Sequence, residues 1–425
     1  MRILIIIKTL GLAAMGLCLA LPARAHPEDP AIVIRGRKIF TATRGTIENG
    51  MIVIRGGRIL AIGESPVIPE GARIIDASKD FVFPGFIDSG TNLGMIEFET
   101  VEKDSDETTS PVTPELRVID AFNPENRLIT DARNQGTTSV LVAPGRGNLL
   151  SGRSALIHLE GGDVSRMIVK FPAAVHGSLG DMFKLRPDKK KVYPYTRMGA
   201  AALLRQTLSD ARYGLDQLLL FEKKQKEGKL DAPGGAAPPS VSPTLQALFP
   251  VIKGEIPLVI TANRLDDILT ALRIAGEFDV RLVINEGSDA YRARDQLAAM
   301  KVPVILRSRA AFRLTLETDK AVYENAALLQ KAGVKIAFQT GSIQDLGDLL
   351  SQARLAVRYG LSPDDALKAL TINPAEIFGA AGEVGSLETG KAADIVIFSG
   401  NPMVSPVRLK TVIINGRIIE HRSKS

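Results

Sequence analysis

Short apolar runs alternate with helical segments through most of this 425-residue chain. The runs are rich in Val, Ile and Leu and bounded by polar or turn residues: residues 81–88, 139–143, 257–261, 281–285, 302–306 and 334–338. Helical spacing of apolar positions marks the segments between them: residues 125–135, 266–278, 290–300, 321–332 and 342–359. Strand, helix and strand in this order predict βαβ units, and near-continuous apolar strands predict a sheet buried on both faces.

Two features depart from this rhythm. Residues 184–249 contain a long helical stretch, 197–227, followed by a Pro- and Gly-rich loop at 231–243, and we interpret them as an insertion. Both ends of the chain are instead rich in β-type runs, with Gly56-Gly57 as a hairpin turn near the start. Two β-rich ends around an αβ-alternating middle predict that the ends meet in one small sheet domain.

The first 25 residues have the pattern of a secretory signal. Arg2 and Lys8 precede an apolar run at 10–21, and Ala23-Arg24-Ala25 resembles a cleavage site. The run is shorter than the roughly 20 residues of a membrane-spanning helix. We therefore expect cleavage and export to the periplasm or outside the cell, with an uncleaved anchor as the alternative and no membrane span after cleavage.

Composition excludes several classes of function. The one cysteine, Cys18, lies in the signal segment and rules out an intramolecular disulfide. Removing the signal's three basic residues halves the formal net charge of +6, and the chain contains no Trp. Mild charge and few aromatic residues argue against a nucleic-acid partner.

Residues 84–89 read Pro-Gly-Phe-Ile-Asp-Ser, and three further segments, at 49–59, 373–379 and 385–394, flank the αβ-alternating middle. These segments resemble the first barrel strand and the opening and closing segments of the amidohydrolase superfamily, near its imidazolonepropionase-like and periplasmic branches. The resemblance implies an α/β fold: a TIM-like (β/α)8 barrel with a small composite β-sandwich formed by both chain ends. The implied division is a signal at 1–25, sandwich parts at 26–82 and 381–425, and the barrel at 83–380.

The resemblance also implies zinc or another divalent metal at the barrel mouth, held by His-x-His from the first strand, one His each from the fifth and sixth, and Asp from the eighth. In this sequence the corresponding positions are Gly90, Asn92, Thr261, Asn263, Glu286 and Gly341. Glycine has no donor, and neutral amides and hydroxyls are poor zinc ligands. We therefore predict a mouth pocket at these positions, with no metal and no other cofactor.

Glu286 is the one candidate catalytic residue, because a carboxylate ends a barrel strand there. It could act as a general base or hold a cation with Asp289, Glu97 or Glu99. The alternative, which we favour, is a loop carboxylate paired with Arg264 or Arg307. Asp88 is interpreted as structural.

The remaining candidate groups carry weaker signals. Only His26, His158, His176 and His421 remain after signal removal, and we favour structural roles over a metal site built from His158 and His176. Acidic residues in one long loop are interpreted as solvated rather than as a calcium site: Glu97, Glu99, Glu102, Asp104, Asp106 and Glu107. Residues 145–148, Gly-Arg-Gly-Asn, are interpreted as a turn after the second strand.

Three functional hypotheses follow. The first is a non-catalytic homologue that binds a small molecule at the barrel mouth or a partner, in a homo- or hetero-oligomer with an active relative. The second is a hydrolase of carbon–nitrogen bonds other than peptide bonds, with a site rebuilt around Glu286. The third is a structural envelope protein. An activated water and a Lewis acid supply much of metal-dependent hydrolysis, so we place the first above the second.

Overall fold

The structure is a computed structural model that describes residues 30–96, 104–107, 109–181, 193–229, 237–307 and 315–420. The predicted signal segment, His26, His421, Glu97, Glu99 and Glu102 lie outside these ranges. Within them, no helix combines the length and apolar character needed to cross a membrane. Two eight-stranded sheets organise the chain.

One sheet is a barrel whose neighbouring strands follow one another in sequence. Its strands are β6 (Phe86–Thr91), β7 (Thr137–Val142), β8 (Leu150–His158), β9 (Ile168–Ser178), β10 (Leu258–Ala262), β11 (Leu282–Glu286), β12 (Val304–Leu306) and β13 (Ile336–Phe338). The last strand approaches the first, where the Gly341 N–H donates to the Gly90 carbonyl at 2.8 Å. The predicted barrel is therefore confirmed.

The prediction of repeated βαβ units is wrong at one strand. β8 runs antiparallel to both β7 and β9, whereas the other paired barrel strands are parallel. Only residues 143–149 and 159–167 connect β8 to its neighbours, and a parallel crossover needs about a dozen residues or more. Connection length therefore reverses this strand.

Helices cover the outside of the barrel. They are α1 (Leu128–Arg133), α2 (Val164–Met167), α3 (Arg197–Lys226), α4 (Pro243–Gln246), α5 (Phe249–Ile252), α6 (Leu265–Phe278), α7 (Arg294–Ala299), α8 (Asn325–Lys331), α9 (Leu349–Arg358), α10 (Pro363–Ala369) and α11 (Ile372–Ile377). The segment interpreted as an insertion contains α3, which packs against α5 and α6. Its buried Ala200, Leu204 and Leu208 belong to the main hydrophobic core. α3 is therefore the long helix of the connection between the fourth and fifth barrel strands.

The second sheet joins both chain ends, as the sequence predicts. Its strands are β1 (Ile32–Phe40), β2 (Thr46–Glu48), β3 (Met51–Arg55), β4 (Arg58–Gly63), β5 (Arg73–Pro84), β14 (Ile395–Phe398), β15 (Leu409–Ile414) and β16 (Arg417–Ile419). β14 pairs with β5, which ties the two ends together. The sheet packs over an isoleucine-rich core. Its two outer hairpins meet at Ala393, whose N–H donates to the Gly57 carbonyl and whose carbonyl accepts from the Gly416 N–H.

Candidate functional site

The barrel interior is built in layers. One cluster takes a buried apolar residue from each barrel strand, among them Ile87, Ala174, Val259, Val283 and Ala337. Side chains two positions further along a strand face the same way. That next layer, which we call the floor, lines a cavity of about 270 Å³ at the barrel mouth: Ser89, His176, Thr261, Asn285 and Gln339. The mouth is where catalytic groups sit in this architecture.

The structure brings the predicted pocket residues together here. Gly90, Asn92, Thr261 and Gly341 line the cavity. Asn263 and Glu286 are buried beside one another, and the Asn263 amide donates to Glu286 Oε2 at 2.7 Å.

Gln339 fills the space at the first of the expected ligand positions. A Cβ on Gly90 would collide with the Gln339 side-chain oxygen. Gln339 is fixed there because its amide donates to Asn285 Oδ1 at 2.7 Å, and the Asn285 amide donates to Thr261 Oγ1 at 3.0 Å. This chain of neutral hydrogen bonds occupies the place of the first-strand histidine.

Arg307 packs closely against the last expected ligand position. Gly341 has φ +74°, and a Cβ there would lie 3.2 Å from Cδ and 3.3 Å from Nε of Arg307. The Arg307 guanidinium pairs with Asp345 and lies 4.0 Å from Glu286 Oε1. A cationic side chain therefore lies directly beside the position of the expected eighth-strand carboxylate.

Glu286 is a buried carboxylate held by cations. It has φ +69°, a left-handed backbone conformation that is costly for a residue with a side chain. Its Oε1 contacts the guanidinium of Arg146 and is within reach of Arg307. Of the two partners predicted, Arg307 is near, but Arg264 pairs with Asp266 instead.

Arg146 is the functional residue that sequence reasoning missed. It lies in the loop after β7, which the sequence marks only as a turn, and it crosses the mouth to Glu286. Burial, followed by the charge of Arg307, lowers the pKa of Arg146 to about 10, so it stays protonated at neutral pH.

Two loops form a roof over the cavity. Asp106 lies against Gly145 and accepts a hydrogen bond from the Gly147 N–H at 2.9 Å. Asn148 donates from its side chain to the Glu107 carbonyl. The Asp106 carboxylate therefore has a structural role, whereas Glu107 contributes its main-chain carbonyl to the roof.

The two described histidines lie at opposite ends of the barrel, so the idea of a shared metal site is wrong. His176 pairs in register with Gly152, and His158 lies six residues further along β8, or about 20 Å away. His158 instead pairs with Asp394 at 3.1 Å. His176 is buried in the floor, where burial lowers its pKa to about 3.

Asp88 has the structural role expected of it. Its carboxylate accepts from the backbone N–H groups of Gly90 and Thr340, at 3.1 and 3.0 Å, and from the Thr340 hydroxyl. These bonds close the barrel between β6 and β13. Burial raises the pKa of Asp88 to about 6, although the hydrogen bonds oppose that shift.

The residues at the mouth do not fit a divalent metal. The space at position 90 is taken by the Gln339 side chain, Arg307 crowds position 341, and the carboxylate of Glu286 is already neutralised by guanidinium groups. Two nearby positive charges would also oppose a bound cation. In the part of the chain that the structure describes, no three His, Cys, Asp or Glu side chains are grouped to hold a metal ion.

Comparisons with known proteins agree on one family. The model of the amidohydrolase family matches residues 298–419. An adenine deaminase of Clostridium botulinum (strain ATCC 19397 / Type A) is 26% identical over 422 residues, covering 97% of this chain and 59% of the relative. The chain thus spans about three fifths of that relative's length. Imidazolonepropionase of Geobacillus kaustophilus is 26% identical, covering 84% of this chain and 85% of the relative.

Solved structures agree. An amidohydrolase from Thermotoga maritima MSB8 is 33% identical with a TM-score of 0.82, covering 92% of this chain and 100% of that chain. A prolidase complexed with n-methylphosphonate-l-proline is 20% identical with a TM-score of 0.57, covering 92% of this chain and 100% of that chain, and it shares the fold. This chain belongs to the amidohydrolase superfamily.

Proposed function

We propose that this protein binds a small molecule at the barrel mouth and performs no metal-dependent hydrolysis. One observation carries the proposal: a metal-ligating side chain at position 90 would collide with Gln339, and one at position 341 would press against Arg307. Buried space in a close-packed protein cannot be shared, so the fold is kept while the ligand set is replaced.

A second candidate is a hydrolase of carbon–nitrogen bonds other than peptide bonds, with Glu286 as general base. The left-handed backbone of Glu286 favours it, because strained conformations concentrate at active sites. The names of the relatives, adenine deaminase and imidazolonepropionase, are in keeping with such chemistry. Against it, Glu286 is tied to Arg146 and Asn263, which restrains it from accepting a proton.

We also propose export through the segment at residues 1–25 and assembly with a second copy or with an active relative. A structural envelope protein remains the third candidate. Crosslinking in whole cells separates these ideas, since a defined relative in the crosslinked product supports a partner-binding role.

Metal content and turnover test the proposal together. The purified protein, loaded with zinc, manganese or iron and then dialysed, should retain far less than one ion per chain. It should also turn over none of a panel of cyclic amides and dipeptides, with a metal-dependent amidohydrolase as the positive control. Stoichiometric metal with turnover would overturn the proposal. Turnover that survives a chelator but is lost in Glu286→Gln would establish the second candidate.

A further inference from the structure

The floor of the mouth cavity consists of uncharged side chains that can form hydrogen bonds. Two of its polar atoms, Ser89 Oγ and His176 Nε2, are buried and have no hydrogen-bond partner among the residues that the structure describes. Ser89 is 1% exposed and His176 is 7% exposed. Both residues line the cavity. Buried polar atoms are nearly always paired, so a molecule held in the cavity is the available partner for them.

The charged side chains around the cavity lie above and beside the floor, and they already have partners. Arg146 pairs with Glu286, and Asp106 accepts from the Gly147 N–H. His176 adds no positive charge, because its burial keeps it neutral above a pKa of about 3. An ionised group reaching the floor would therefore lose its hydration without gaining a counter-charge.

We propose that the floor selects an uncharged small molecule that presents both a hydrogen-bond donor and an acceptor, one to Ser89 and one to His176. A serine hydroxyl and a neutral imidazole can each donate or accept, so a ligand with both functions satisfies them together. The cavity of about 270 Å³ falls just below the usual size of drug-binding pockets, which favours a small ligand. This inference rests on the proposed binding function and adds the class of ligand.

Three probes of nearly equal shape test it: benzamide, benzoate and benzylammonium. Titrated against the full-length protein by calorimetry or ligand-observed NMR, benzamide should bind at least about tenfold more tightly than either ion, because only the ions lose charge hydration. The titrations are made at pH 8, above the raised pKa of Asp88, where neither benzamide nor His176 titrates. Tighter binding of benzoate or benzylammonium would overturn the inference.

Two serine variants locate the binding. Ser89→Ala should weaken benzamide about three- to tenfold, the usual effect of one lost hydrogen bond. Ser151→Ala is the matched control, since its buried hydroxyl is also unpaired within the described ranges but does not line the cavity. Equal effects of the two substitutions, or no effect of Ser89→Ala, would contradict the assignment.

Failure here and failure of the proposed function are distinguishable. If no probe binds, water satisfies the floor and the inference is wrong, while metal content and turnover still decide the proposed function. If metal and turnover are found, the proposed function is wrong whatever the probes do.

Discussion

Two glycines determine what the barrel mouth can hold. At position 90 the lack of a side chain leaves room that Gln339 occupies, and at position 341 it lets Arg307 pack closely. Both neighbours are anchored, Gln339 by Asn285 and Arg307 by Asp345. A metal ligand placed at either glycine would therefore require its neighbour to move.

Gly90→His should destabilise the protein by about 1–3 kcal/mol, the usual cost of overpacking a buried site. Gln339→Gly in the same chain should recover much of that loss, because it removes the side chain that collides. Urea unfolding of both single variants and the double variant measures the coupling. Gly63→His is the control, since a Cβ at Gly63 meets no atom within 4 Å. A stable Gly90→His single variant would contradict the assigned role of Gln339.

Arg146 and Glu286 should be strongly coupled across the mouth. Arg146→Met keeps the side-chain length but leaves a buried carboxylate short of one cation, at an expected cost of about 3 kcal/mol. Glu286→Gln should offset most of that cost, because the double variant contains no unpaired charge. The two effects are compared with their sum in a double-mutant cycle of unfolding free energies. Strict additivity would mean that this ion pair contributes nothing.

At the scale of elements, apolar runs located the strands well. The run at 257–261 corresponds to Leu258–Ala262, and that at 281–285 to Leu282–Glu286. One predicted strand at 81–88 is instead two, because Gly85 separates Arg73–Pro84 from Phe86–Thr91. Strand direction was harder to predict, since the reversal of β8 depends on the length of its connections and not on its composition.

The candidate site, too, could be predicted only in part. Gly90, Glu286 and Gly341 could be located because they lie in or just after the ends of barrel strands, at positions that the family resemblance marks. Gln339 and Arg146 could not, because their roles arise from contacts with other strands across the mouth. Counting two positions beyond each inner apolar residue would have found the floor, including His176, once the strands were known.

The ion pair between His158 of β8 and Asp394, which directly precedes β14, should depend on pH. Burial by itself lowers the pKa of His158, but the charge and hydrogen bond of Asp394, with the charge of Glu383, outweigh it and raise that pKa above 6.5. The ion pair therefore contributes full stability below pH 6.5 and loses it as the pH rises through the raised pKa.

Unfolding free energies at pH 6 and pH 8.5 test this link, with His158→Asn as the comparison. Other groups with raised pKa values, such as Asp88 and Glu317, also make stability fall with rising pH, so the difference between parent and variant isolates His158. The parent should exceed the variant by more at pH 6 than at pH 8.5. An equal difference at both pH values would show that His158 stays neutral.

At the scale of the whole molecule, the sheet and the barrel are joined too closely to fold apart. Gly85 alone separates β5 of the sheet from β6 of the barrel, and its N–H donates to the Asp394 carbonyl at 2.8 Å. Phe398 of the sheet contacts both Phe83 and Phe86, with ring centroids 6.1 and 5.9 Å apart. All three rings belong to the main hydrophobic core, which also includes residues of the barrel strands. One cooperative unfolding transition follows.

Tyrosine fluorescence can test that cooperativity, because all 6 tyrosines lie between Tyr193 and Tyr359, within the barrel segment. Phe398→Ala, a change in the sheet, should cost about 3–5 kcal/mol as a cavity in a packed core. If the molecule unfolds as one unit, the tyrosine signal and far-ultraviolet circular dichroism should shift to the same lower midpoint. Ile74→Ala is the control, because Ile74 lies in the same sheet but is 47% exposed. If the unfolding midpoint followed by tyrosine fluorescence stays at the parent value, the barrel is stable without its sheet.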